Sequence, residues 1–261
     1  MQTFPPPPPP SRPDLAGGEV AVRRARPTWL VAIALLLVCS LGIAGLAPLL
    51  AGDPEAGTDF AFLSRTPNGD PVRWNPCAPI HYVVNASKAP PGSIEDVHEA
   101  VRRISQATGI AFSYDGLSDE EPSAFRDPFL PERYGRRWAP VLIGWVDPDD
   151  SDISFESADG IASAVASPLY PNGAPSDVFV SGWVAMNQED PNPPGFEDPW
   201  EQGPVLLHEL GHVMGLGHVE TIGELMHPAG GGATDLGAGD LEGLRRLGSS
   251  RGCLTVPQAH A

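Results

Sequence analysis

Between residues 93 and 108, Ile94, Val97, Val101 and Ile104 recur at spacings of three and four, which gathers them on one stripe of a 3.6-residue helix. Ser93-Ile-Glu-Asp96 has the form of a capping box, and Gly109 is placed to end the helix. Residues 79–85, 110–114, 141–146 and 178–186 follow a different rule: they are rich in β-branched and aromatic side chains and read as strands. The stretches between them, 117–138 and 187–203, are loaded with Pro, Asp and Glu and read as loops. Strand, helix, strand, strand in this order predicts an α/β or α+β layer with a largely parallel sheet.

The N-terminal pattern is unlike the rest. Residues 1–27 hold a proline run, Pro5 to Pro10, and cannot pack a core; they read as a solvated, disordered tail, with a ligand for SH3-type domains as the alternative. Residues 29–51 carry no charge over 23 positions, enough for a helix to cross a bilayer. A core helix would show a polar stripe, and a cleaved signal peptide a shorter apolar stretch without Pro48 after Gly45-Leu46-Ala47. A retained transmembrane anchor over 28–51 is therefore expected, with secretion after cleavage as the alternative. Arg23, Arg24 and Arg26 before it and Asp53, Glu55 and Asp59 after it orient the N-terminus to the cytoplasm and the remainder outside. The organisation expected is a tail (1–27), the anchor (28–51), a linker (52–65), one domain (66–256) and a short C-terminal tail (257–261).

Charge sharpens this division. Of 261 residues, 16 are Lys or Arg and 33 Asp or Glu, a net charge of −17. The first 51 residues hold four arginines and two acids; the remainder holds 12 basic and 31 acidic residues. A domain so acidic, with Lys88 its sole lysine, is not built to grip nucleic acid phosphates. A cleft on it is expected to disfavour acidic substrates, salt easing the discrimination. The 41% apolar content excludes a wholly disordered chain.

The chemistry lies in residues 208–218, HELGHVMGLGH. His208 and His212, one helical turn apart, share a face and can converge on one metal ion, while Glu209 stands beside that face. Gly215 can take a left-handed conformation, ending the helix so that His218 returns as a third ligand. Three imidazoles with a fourth position left open is a catalytic zinc arrangement. An isolated His-Glu-x-x-His arises by chance in many chains; the added glycine and third histidine at fixed spacing, with three of seven histidines inside eleven residues, argue against chance here.

Residues 208–218 resemble the elongated zinc motif of the metzincin metalloproteases. Leu225-Met226-His227-Pro228 is similar to the Met-turn of that clan, and residues 236–248, with Asp240, Leu241, Gly243, Leu244, Leu247 and Gly248, are similar to the closing helix of its matrixin branch. Gly237 stands where a capping serine is usual, which predicts a weaker helix start. The likeness covers about residues 66–250 and is strong over 205–248. It implies an α+β zincin domain with an α/β-type upper subdomain: a twisted, mostly parallel sheet, two long helices and a C-terminal helix. It also implies a zinc endopeptidase with one catalytic zinc on His208, His212 and His218, Glu209 as general base, Met226 beneath the metal, and specificity set by the segment 228–239. Residues 159–168 resemble the matrixin edge strand that pairs with substrate backbone, which would assign that role to Ile161, Ala162, Ser163, Ala164, Val165 and Ala166; an ordinary edge segment is the alternative. No histidine lies between His98 and His208, so the second, structural zinc common in matrixins is not expected. Asp147, Asp149, Asp150 and Asp152 offer hard oxygen ligands to calcium in its place, but they lack the EF-hand spacing and glycine, and a solvated acidic loop is the favoured reading.

Cys77 and Cys253 flank the domain on the outer side of the anchor, and Cys39 lies within it, so a Cys77–Cys253 disulfide is expected, against free thiols or a zinc-capping role for Cys77. A peptide or protein substrate, a membrane via residues 28–51 and no nucleic acid are the expected partners; oligomeric state is not legible. The competing class is a catalytically silent zinc-containing module at the cell surface. Fifteen arginines to one lysine, with abundant Ala, Gly and Pro, suggest a GC-rich bacterial genome.

Overall fold

Five strands that run the same way form the floor on which the histidine helix is laid. A computed structural model describes residues 53–54, 59–155, 158–166, 178–189, 192–229 and 232–259; the tail 1–27 and the span 28–51 lie outside them. Among the described residues no helix is long and apolar enough to cross a membrane.

Short strands β1 (Asp53–Pro54), β2 (Ala61–Phe62) and β3 (Arg73–Trp74) precede β4 (Ile80–Asn85). Helix α1 (Ser93–Thr108), β5 (Phe112–Leu117), the single-turn α2 (Pro131–Tyr134) and β6 (Val141–Val146) follow. Then come β7 (Gly160–Ala166), β8 (Val178–Asn187), α3 (Gln202–Met214), β9 (Leu216–Gly217) and α4 (Ala238–Leu247). In the main sheet β5, β4, β6 and β8 lie side by side in parallel, and β3 pairs in parallel with the first two residues of β8. β7 runs antiparallel along β8, from Gly160 opposite Met186 to Ala166 opposite Phe179. The mixed, mostly parallel sheet matches the layer expected from the strand and helix order, and the two long helices with a shorter C-terminal helix match the set the resemblance implies. β5 reaches three residues beyond the expected 114.

Helix α1 buries Val97, Ala100, Val101 and Ile104 in the core it shares with the sheet, α3 and α4, each large apolar side chain stabilising the fold by about 1.5–3 kcal/mol. Gly109 closes it in the left-handed region, φ 68°, its N–H on Ser105 O at 2.9 Å. Its start differs from the expected capping box. Gly92 is the cap residue and no side chain caps the helix. Ser93 and Asp96 are turned inward to tertiary partners: Ser93 Oγ donates to Gln202 Oε1 at 3.1 Å, and Asp96 accepts from the Gly195 N–H at 2.9 Å. Trp145 Nε1 adds a bond to the same Gln202 oxygen at 2.9 Å, so the first residue of α3 is tied to α1 and to β6. A buried amide with four bonding sites satisfies more partners here than a local cap would.

The stretch read as a linker enters the core instead. Phe60, Ala61 and Phe62 are buried, and β2 pairs antiparallel with both β1 and β9. At the other end Cys77 and Cys253 form the expected disulfide, Cα–Cα 5.4 Å across 176 residues of sequence. Leu254 N–H on Asn75 Oδ1 at 3.0 Å and Trp138 Nε1 on Pro257 O at 2.9 Å lay the C-terminal run against the same region.

Candidate metal centre

Helix α3 is apolar on nearly every side because it is covered on every side: Leu206, Leu207, Leu210, Val213 and Met214 are all buried. It stops at Gly215, φ 110°, whose N–H bonds to both Gly211 O (3.2 Å) and His212 O (2.9 Å). An L side chain there would be strained and would press on the Phe179 ring. The reversal brings His218 back toward the helix, as its spacing predicts.

The Nδ1 atoms of two of the histidines face carbonyl oxygens: His208 on Leu225 O at 2.6 Å and His212 on Leu216 O at 2.8 Å. A carbonyl only accepts, so each Nδ1 carries the proton and each Nε2 presents a lone pair. Both Nε2 atoms lie 3.1 Å from Nε2 of His218. His218 has at most one proton on that nitrogen and cannot donate to both. At least one pair of lone pairs therefore meets at that distance, an arrangement a cation between them relieves. The three nitrogens lie within 4.8 Å of one another, and among the described residues no other group of His, Cys, Asp and Glu converges in this way. Burial lowers the pKa of all three rings, that of His208 to about 4, keeping them in the neutral form that ligates a metal. The donor set, three imidazoles and no thiolate, fits zinc.

Glu209 is buried beside the histidines, and burial pushes its carboxyl up to about 8; a cation at the histidines would favour the carboxylate again. It borders a cavity of about 280 Å³ lined also by His208, Val205, Leu225, Pro228 and Ala229. Pro228, Ala229 and Ala233 belong to the segment expected to wall the specificity pocket. Asp159, at the start of the segment likened to an edge strand, and Pro199 and Trp200, in the loop 187–203, line it too; the sequence had given none of the three a place at the site. Gly160, the first residue of β7, lets that strand close on the helix: a Cβ there would stand 2.9 Å from Glu209 Cγ.

Met226 is buried under α3 at Gly211, and its carbonyl accepts the Val219 N–H at 3.1 Å. The carboxylate of Asp240 in α4 holds the same turn, accepting from Leu225 N–H (2.6 Å) and Met226 N–H (3.3 Å). The start of α4 departs from the expected weak cap. Asp240 Oδ2 accepts the Gly237 N–H at 2.9 Å, and Glu224 Oε2, in the space a side chain at 237 would fill, accepts the Asp240 N–H at 2.9 Å. A carboxylate from another segment thus takes the place of the missing serine.

Residues 161–166 lie in β7, whose strand partner among the described residues is β8, leaving its other edge without a strand among them. In the acidic loop Asp147 accepts the Asp149 N–H and Asp152 accepts from Ser123 Oγ and Ala124 N–H, and the four aspartates are not among the convergent groups of the described residues.

No protein-family profile matches this chain, and no curated protein does. Among solved structures it is similar to the crystal structure of metalloproteinase-II from Bacteroides fragilis, at 16% identity and TM-score 0.38, over 68% of this chain and 54% of that one. The chain thus matches about half the length of that protein. A likeness of this degree assigns no activity, which has to be argued from the site itself.

Proposed function

We propose that the protein is a zinc-dependent endopeptidase of metzincin, matrixin-like type. The observation that carries this reading is the meeting of three neutral imidazole nitrogens beside a buried glutamate at the wall of a cavity. Zinc held by His208, His212 and His218 supplies a Lewis acid for the scissile carbonyl and renders water acidic near neutral pH. Glu209 takes the proton from the attacking water and returns it to the leaving amine as the C–N bond breaks. The open edge of β7 offers backbone N–H and C=O groups to an extended peptide irrespective of its sequence. Leu225 O and Leu216 O hold two of the rings in the ligating tautomer.

The proposed place of action is outside the cytoplasmic membrane, with residues 28–51 as anchor. An oxidised Cys77–Cys253 pair supports an oxidising compartment.

The test is metal analysis of the full chain together with cleavage of a broad peptide library. One zinc per chain and cleavage are expected, and Glu209→Gln should retain the metal while losing about 10²–10⁴ in rate. A chain that binds one zinc and cleaves nothing is the silent cell-surface module instead.

A further inference from the structure

The cavity beside Glu209 has walls of two kinds. Pro204, Val205 and Leu225 give an apolar surface; Asp159 and Trp200 bring a carboxylate and an indole from two separate loops. Among the described residues no lysine or arginine lines the cavity. Among the described residues the one hydrogen-bond partner of the Asp159 carboxylate is Asn192 Nδ2, at 3.5 Å. The same Asn192 nitrogen donates to Trp200 O at 2.8 Å, so one amide holds the two loops together at the cavity.

Trp200 is 75% exposed, yet its loop is firmly pinned. Its N–H donates to Asp198 Oδ1 at 3.0 Å, the Glu201 carboxylate accepts from Glu197 N–H (2.6 Å) and Asp198 N–H (3.2 Å), and Gly195 N–H is held by Asp96. An indole left in water at a cavity wall, on a loop whose backbone is held, is a ready platform for a cation. Glu197 and Asp198, both exposed on the same loop, add negative potential there. An apolar side chain in this cavity would strip water from Asp159 and give it nothing in return. Lysine or arginine would not: the methylene stem suits the apolar wall while the head reaches the carboxylate and the ring.

We propose that this cavity selects a basic side chain of the peptide substrate, with its stem against Pro204, Val205 and Leu225 and its charge between Asp159 and Trp200. This rests on the peptidase reading and specifies its substrate class.

The test uses matched peptides bearing arginine or its uncharged isostere citrulline at each position flanking the cleavage site, with the zinc-loaded full chain. At one position the arginine peptide should be cleaved with about tenfold higher kcat/KM at low salt. Asp159→Asn should bring that ratio close to one, and Trp200→Ala should lower it; zinc content and melting temperature report whether each variant is folded. In the Glu209→Ala variant, which needs no turnover to be read, fluorescence anisotropy should show the arginine peptide binding about tenfold tighter than the citrulline peptide. Equal binding of the two peptides, or a ratio that Asp159→Asn leaves unmoved, overturns the proposal. A binding difference without cleavage by the wild type overturns the peptidase reading alone.

Discussion

The sulfur of Met226 lies where a side chain on Gly211 would have to go: a Cβ built there would stand 2.5 Å from Sδ. Gly211 sits between His208 and His212 on α3, so the methionine and the glycine fit together directly under two of the ligands. Alanine in place of Gly211 would gain about 1 kcal/mol of helix propensity, but forcing the buried sulfur aside costs about 1–3 kcal/mol. Gly211→Ala should therefore lower the melting temperature slightly and weaken zinc binding more clearly, as a chelator competition would show. Unchanged zinc affinity would mean that the methionine fills space without supporting the ligands.

Gly160 plays a similar part on the other side of the site. A Cβ there would meet Glu209 Cγ at 2.9 Å and Val205 Cγ1 at 3.0 Å. If Glu209 is the general base proposed above, displacing it by a fraction of an ångström to an ångström is costly to rate, up to about 10²-fold. Gly160→Ala is expected to reduce kcat while the zinc content stays at the wild-type level. Steady-state kinetics with parallel metal analysis separates this outcome from general misfolding, in which both would fall.

The disulfide closes a loop of 176 residues. In the chain-entropy account that constraint stabilises by at most about 5 kcal/mol. Cys253→Ser, and the wild type under reductant, should melt lower by about 10 °C in calorimetry. The two should coincide; a reductant effect that persists in Cys253→Ser would place the sensitivity elsewhere.

Asp240 gives the stability a pH signature. Burial, aided by the Glu224 carboxylate beside it, pushes its pKa from 3.8 up to about 6, while the N–H groups of Gly237, Leu225 and Met226 oppose the shift. A carboxyl whose folded pKa lies above its unfolded value binds its proton more tightly when folded. Its favourable contribution is then full below the unfolded value and is lost as the pH rises through about 6. The deficit of a metal-free Asp240→Asn variant against metal-free wild type should thus be larger near about pH 4.5 than near about pH 7, by urea unfolding. A deficit that grows with pH would show that the three N–H bonds outweigh burial and keep the group ionised.

The candidate metal site was legible because its three histidines obey local geometry. His208 and His212 depend only on helical pitch, and His218 on a glycine that lets the chain reverse. The apolar stripe of α1 and the order of the strands were legible on the same grounds. What could not be read depends on partners distant in sequence. Ser93 and Asp96 form a capping pattern, yet Gln202 and Gly195, about a hundred residues away, offer them better bonds. Glu224 replaces a missing cap that a local reading of Gly237 could only record as a loss. Phe60-Ala61-Phe62 is too short a run to announce a strand, and becomes one because β9 supplies an edge. Asp159 and Trp200 are bridged by Asn192, which bonds to both.

That same short strand sets how the chain enters the fold. Ala61 and Phe62 pair with Gly217 and Leu216, Leu63 N–H bonds to Gly215 O at 2.9 Å, and Thr221 Oγ1 donates to Asp59 Oδ1 at 3.0 Å. The turn that carries His218 is therefore stitched to the strand β2 and its flanking residues Asp59 and Leu63. Tension applied to the polypeptide ahead of Asp59 would load these few bonds in shear, and the first part of the domain to feel the pull would be the hairpin between His212 and His218.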